Sequence, residues 1–247
     1  MPLRRAGTVS NAGARYGPGS ATHRFAKCYA LRCVRGTHMI LIGQFDSPFV
    51  RRVGIALRLY DLPFEHRPWS TFGDADKIAP YNPLRRVPTL VLDDGEVLIE
   101  STAILDHLDE RVGPSRAMIS ENGPRRREAL KVCALATGLG DKAVSLVYER
   151  LLHREKSDVW MERCETQIAG VLDALEADRA GRKSAYWFGD KIGHADIAVA
   201  CVIRFTRDAH PGVFDTKRWP ALAAHAELCE ALPPFQEIAQ PFSVPGT

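Results

Sequence analysis

Apolar positions along this chain fall into two regimes that meet near residue 113. In the first, short runs dominate. Residues 39–43 (MILIG) form an apolar stretch closed by glycine, long enough only for a strand. Val50, Val53, Leu57 and Tyr60 then recur at three- and four-residue steps, which predicts a helix over 49–60. Pro48 stands where a first helical turn tolerates a missing N–H. Residues 64–69 can form a second strand. Residues 87–92 (VPTLVL) and 96–99 (EVLI) flank Asp93-Asp94-Gly95, a tight-turn signal that makes them an antiparallel hairpin. A helix over 101–111 follows, with Ser101 as its N-cap and Ile104, Leu105 and Leu108 facing inward.

Beyond Gly113-Pro114 helical periods take over. Met161, Cys164, Ile168, Val171, Leu172 and Leu175 form one stripe, and residues 197–203 (IAVACVI) are apolar nearly all round, which predicts a buried central helix. The Gly-Pro breaks within 112–124 mark the boundary. The first part, ordered β-α-β, a polar irregular stretch, then β-β-α, fits a sheet of about four strands with helices packed on it. The expected organisation is an α/β domain over 39–113 and an all-α helical domain over 124–247, preceded by a leader over 1–38.

Composition narrows the class. The chain has 247 residues, 45% hydrophobic and 26% charged, which excludes a wholly disordered or collagen-like protein. No apolar run approaches the roughly 18 residues of a spanning helix, so no membrane partner is expected. The net charge of +3 is unevenly placed: residues 1–38 hold seven Lys/Arg and no acid, leaving 26 basic against 30 acidic residues in the rest. A mildly acidic body offers no electrostatic reason for nucleic acid. The leader has the composition of an extension or a transit peptide and is expected to be disordered, with Met39 opening the folded unit. Six cysteines show neither a C-x-x-C pair nor metal-ligand spacing with histidine, so disulfides and a metal site are not expected and a reducing compartment is.

Three short stretches carry candidate chemistry. Ser47-Pro48 joins the first strand to the first helix, where a hydroxyl stands beside unpartnered backbone N–H groups at the positive end of the helix dipole. That setting suits an anion, a bound thiolate among them. A thiol of pKa ~8.5 must fall about two units to ionise at neutral pH, roughly 2.7 kcal/mol. The dipole supplies about 0.3–2 kcal/mol, and a hydrogen bond to the charged sulfur about 1.5–3; the two together suffice. Ser47 also reads as a simple N-cap. At Val87-Pro88, a cis bond would expose the N–H and C=O of Val87 to an extended ligand, although only about 5% of X-Pro bonds are cis. Glu100-Ser101 joins the fourth strand to the helix over 101–111, where helix N–H groups could read a carboxylate and Glu100 an ammonium. In this order the three suggest a site for a small zwitterionic peptide bearing a thiol.

These residues resemble the cytosolic glutathione transferase superfamily, of serine type and bacterial-like. The runs Ser47-Pro48-Phe49-Val50-Arg51-Arg52-Val53, Asn82-Pro83-Leu84-Arg85-Arg86-Val87-Pro88-Thr89-Leu90 and Glu100-Ser101-Thr102-Ala103-Ile104 look like its glutathione-binding domain. Gly189-Asp190-Lys191-Ile192-Gly193-His194-Ala195-Asp196 looks like its buried-helix capping motif. The resemblance spans about 39–240. It implies a thioredoxin-like N-terminal domain followed by a helical domain, a homodimer, and a cytoplasmic detoxification enzyme with glutathione as co-substrate and no other cofactor. It further implies that Ser47 bonds the glutathione sulfur and that Val87, ahead of a cis Pro88, pairs with the cysteinyl part. Glu100 and Ser101 would read the γ-glutamyl end, and Arg86 the glycine carboxylate. A serine at 47, where thioltransferase-like classes carry cysteine, argues against disulfide reduction.

Two departures stand out. Asp46 places a carboxylate beside the sulfur position, which opposes thiolate formation unless the side chain points away. Gly193 stands where the family caps the helix with Ser or Thr, so only the reach of Asp196 back to the Gly193 N–H survives of the capping box. His194 is expected on the surface at the helix start, and Trp187, Phe188 and Trp219 in the helical core. The function expected is conjugation of the glutathione thiolate to a small hydrophobic electrophile, with Tyr148 suggested as its neighbour in the helical domain. The rivals are glutathione-dependent peroxide reduction or isomerisation, and a non-catalytic ligand-binding or scaffold member of the same fold.

Overall fold

A computed structural model describes residues 39–244. The leader expected over 1–38, with Cys28 and Cys33, lies outside the described residues. Four strands, β1 (Met39–Ile42), β2 (Phe64–Arg67), β3 (Thr89–Val91) and β4 (Val97–Ile99), form one mixed sheet in the order β2-β1-β3-β4. β1 pairs parallel with β2 and antiparallel with β3, and β3 pairs antiparallel with β4 around the Asp93-Asp94-Gly95 turn. Helix α1 (Pro48–Leu59) makes the crossover between the two parallel strands, and α3 (Ser101–Val112) follows β4. This is the thioredoxin-like arrangement. The apolar period of α1 does what its spacing predicts: Val50, Val53 and Leu57 are buried with Leu41, Leu90, Ile104 and Leu108.

The stretch between β2 and β3 is not wholly irregular, because one turn of helix, α2 (Ala75–Ile78), buries Ile78 against Ile42 and Val91. The helical part contains α4 (Gly123–Leu152), α5 (Asp158–Ala180), α6 (His194–Ala209), α7 (Pro220–Glu230) and the short α8 (Pro233–Glu237). α6 is buried nearly all round, as its composition predicts, and Trp187 and Trp219 lie in the core it shares with α4, α5 and α7. Phe188 packs against the same core. Cys133, Cys164, Cys201 and Cys229 are free and buried in these helices.

Buried polar groups join the two parts. Arg51 of α1 makes a bidentate pair with Glu230 at 2.6 and 2.7 Å, and donates to Ile238 O and Phe235 O, so the start of α1 is fixed against α7 and α8. At the head of α6, Asp196 accepts from Gly193 N–H at 2.8 Å, the surviving half of the box, and also from Trp187 N–H at 2.7 Å. Asp196→Ala would strand two N–H groups in a buried place. It is expected to cost about 2 kcal/mol, more than a cap alone. A lower denaturant midpoint at unchanged m-value would show it.

His194 corrects an expectation. It is 4% exposed, not a surface residue, and its Nε2 bonds both carboxylate oxygens of Asp109 at 2.9 and 3.0 Å. Asp109 also accepts from the Tyr60 hydroxyl, and Met118 N–H reaches both Tyr60 Oη and Asp109. The partner of His194 lies 85 residues away, so no local pattern announces it.

Candidate functional site

Two loops at one end of the central strands β1 and β3 are brought together by a glycine. Gly43, just after β1, has φ of 129°, and a Cβ there would lie 2.5 Å from Val50 Cγ2 and 2.8 Å from Val87 Cβ. Only glycine lets the loop before α1 and the loop before β3 approach this closely. On the first loop Ser47 caps α1 from an extended backbone (φ −67°, ψ 123°), with Pro48 opening the helix. Its Oγ accepts from Val50 N–H at 3.4 Å, a long bond that leaves the hydroxyl loosely committed to the helix.

On the second loop the Val87–Pro88 bond is cis. Asn82 is folded beneath it, donating from Nδ2 to Arg86 O at 2.8 Å and accepting from Leu84 N–H at 3.0 Å. These bonds fix the loop while the N–H and C=O of Val87 make no hydrogen bond among the described residues. Arg86 is exposed beside it.

Ser47, Arg86 and Val87 line one wall of a cleft of about 450 Å³; Asp141, Val144 and Tyr148 of α4, with Phe205 and Phe242, line the other. Phe72 and Tyr148 meet edge-to-face across it at 5.6 Å. Tyr148, near which the sequence suggested a second substrate, thus lines the same cleft as Ser47. Asp46 does border the cleft, but one carboxylate oxygen is engaged by Ser243 N–H at 3.1 Å. Burial pushes the Asp46 carboxyl above its usual range, against the pull of the backbone N–H groups around it.

Glu100 and Ser101 do not line this cleft. They sit at the start of α3, where Glu100 takes the N-cap position expected of Ser101. Glu100 holds a positive φ of 72° and accepts from Thr102 N–H at 3.4 Å, while Ser101 is buried as the first helical residue and donates to Glu100 Oε1 at 3.2 Å. A glutamate at positive φ costs on the order of 1–3 kcal/mol, a strain found preferentially at functional positions. The two sites are electrostatic neighbours: burial raises the Asp141 carboxyl, Arg86 lowers it and Glu100 raises it.

Comparison with known proteins accords with this geometry. Residues 41–116 match the family model described as glutathione S-transferase, N-terminal domain, and residues 158–227 the one described as glutathione S-transferase, C-terminal domain. This chain belongs to the cytosolic glutathione transferase superfamily.

Among solved glutathione S-transferases, one from Methylobacterium radiotolerans in complex with glutathione sulfonate is 28% identical. It matches over 84% of this chain and 98% of its own, with a TM-score of 0.77. One from Methylobacillus flagellatus with glutathione bound is 26% identical over 83% of this chain and 100% of its own, with a TM-score of 0.75. Among curated relatives, a maleylacetoacetate isomerase of Pseudomonas aeruginosa is 29% identical over 85% of this chain and 99% of its own.

Within this glutathione transferase fold, two features of the site carry no plain mark in the sequence. Arg52 is buried behind Ser101, donating to its Oγ at 3.4 Å with its own Nε unpartnered. Two adjacent arginines on a helix with so wide an apolar face were the available signal, since both could not reach water. The other is residues 242–244, which border the cleft although they lie far from Ser47 in sequence and carry no motif.

Proposed function

We propose that the cleft binds glutathione and that Ser47 holds its sulfur as a thiolate, which attacks a small hydrophobic electrophile. The observation that carries this reading is that the Ser47 hydroxyl, at the N-terminus of α1, and the unpaired backbone of Val87 border the same cleft. A cysteinyl residue laid along Val87 would form two strand-like hydrogen bonds and deliver its sulfur toward Ser47. Arg86 would take the glycine carboxylate; Ser101 N–H at the head of α3 and the carboxylate of Glu100 would take the two charges of the γ-glutamyl end. The two solved relatives that bind glutathione or its sulfonate support the reading.

In the reaction, the sulfur of the thiolate forms a bond to the electrophilic carbon, and the leaving group departs with its electron pair. The acceptor would lie among Phe72, Tyr148, Phe205 and Phe242. Conjugation is favoured over isomerisation of a dicarboxylate because Asp46 and Asp141 both border the cleft and would repel it, against Arg86, the one cation among its described lining residues. On the same reading the working form is a homodimer with a detoxifying role.

Ultraviolet titration of the glutathione thiolate on the protein tests the proposal. The bound thiol is expected to ionise about two units below its free value. Binding without such a shift would favour a ligand carrier, and the absence of binding would leave only the fold in common.

A further inference from the structure

Residues 239–244, which follow α8, leave the helical part and cross onto the loop that carries Ser47. Two hydrogen bonds fasten them there: Phe45 N–H donates to Gln240 Oε1 at 3.1 Å, and Ser243 N–H donates to Asp46 Oδ2 at 3.1 Å. Between these points Phe242 packs edge-to-face on Phe205 at 5.7 Å and, with Ser243 and Val244, borders the cleft. The segment belongs to no helix or strand, so repeating backbone bonds do not hold it in place. These contacts tie it to the Ser47 loop and to the helical core.

This gives Asp46 a use. A half-buried carboxylate one residue from Ser47 works against a neighbouring thiolate, and a small polar residue there would avoid the conflict. The carboxylate instead supplies the acceptor for a backbone N–H nearly two hundred residues away. We propose that Asp46 is a specificity-determining positioning residue, holding residues 239–244 on the Ser47 loop so that Phe242 and Val244 wall the acceptor side of the cleft. The inference rests on the cleft being the glutathione and electrophile site. With the segment held, the acceptor space is bounded by aromatic faces and suits a flat, uncharged electrophile. With it released, that space opens to water while the Val87 and Arg86 side is untouched.

The clamp is tested without any ligand by hydrogen–deuterium exchange of the peptide spanning 239–244 in the full chain. Asp46→Ala is expected to speed exchange of this peptide about tenfold, the loss of a bond to a charged acceptor. Asp46→Asn, which keeps an acceptor oxygen, should stay close to wild type. Ser243→Pro removes the donor from the other side and should match the alanine variant, which guards against a folding defect at position 46.

A kinetic arm with chlorodinitrobenzene and glutathione should show KM for the aromatic rising about fivefold in Asp46→Ala and in Ser243→Pro. KM for glutathione should stay within about twofold, as expected when one hydrogen bond shapes only one subsite. Unchanged exchange in both variants overturns the clamp, and an Asn variant that behaves like Ala overturns the acceptor role of the side chain. Faster exchange with an unchanged aromatic KM overturns the specificity role. A wild-type protein that conjugates nothing would count against the proposed function, while the exchange measurement still decides the clamp.

Discussion

Ser47→Ala is expected to lower turnover with an aromatic electrophile by about 10- to 100-fold, with glutathione affinity falling no more than about threefold. The magnitude follows from what the hydroxyl supplies. A hydrogen bond to a charged group is worth roughly 1.5–3 kcal/mol, which corresponds to about one to two units of thiol pKa. The helix terminus remains in the variant and continues to supply about 0.3–2 kcal/mol, so the thiol would still ionise, at higher pH. The loss should therefore shrink as pH is raised, and the pH–rate profile should move upward by the same one to two units as the titrated thiol. On the proposed binding mode, contacts through Arg86, Val87 and the head of α3 do not involve the hydroxyl, so most of the affinity should be kept. A turnover unchanged by the substitution, with an unchanged thiol pKa, would remove Ser47 from the mechanism and return it to its role as N-cap of α1.

The largest stability effect is expected at Asp109. Its carboxylate is the common acceptor for Tyr60 at the C-cap of α1, His194 of α6 and Met118 of the connecting segment. Asp109→Ala would leave the Tyr60 and His194 donors buried without this acceptor, while Met118 N–H keeps its bond to Tyr60 Oη, at a cost of about 3–5 kcal/mol. For a protein of this size that lowers the thermal midpoint by roughly 10 °C. The same group sets a pH dependence. Burial pushes the Asp109 carboxyl up, but the bonds from His194 and Tyr60 more than reverse this and hold it below its ordinary value. A carboxyl depressed in the folded state contributes stability that is fully present above the unfolded value of about 3.9 and is lost as pH falls through the folded value below it. Wild type should therefore lose stability steeply in that acid window, and Asp109→Ala less steeply, in urea titrations at stepped pH. A variant within about 1 kcal/mol of wild type, with the same acid slope, would show that the network is not held by its carboxylate.

The period of α1, the strand–turn–strand reading around Asp93-Asp94-Gly95 and the apolar run of α6 were legible because each is a local signal. Burial of one face repeats at a fixed spacing, and a turn needs particular residues at particular places. The cap of α3 was misplaced by one residue, since Glu100 and Ser101 are both polar and the positive φ of Glu100 has no mark in its residue type. The burial of His194 is illegible for a different reason: a histidine at a helix start is solvated unless something distant buries it, and here Asp109 does.

The sequence by itself determined the β-α-β and β-β-α order of the first part, the helical character of the rest, and the identity of the residues at the two loop ends, Ser47 and Val87-Pro88. Local propensity and hydrophobic spacing are written residue by residue. The tertiary structure alone decided which of them share a cleft, that Glu100 and Ser101 stand beside it, that Asp109 joins Tyr60 to His194, and that Ser243 comes back to Asp46. Those facts depend on where a chain returns in space, and packing of whole faces, not neighbouring residues, sets that return.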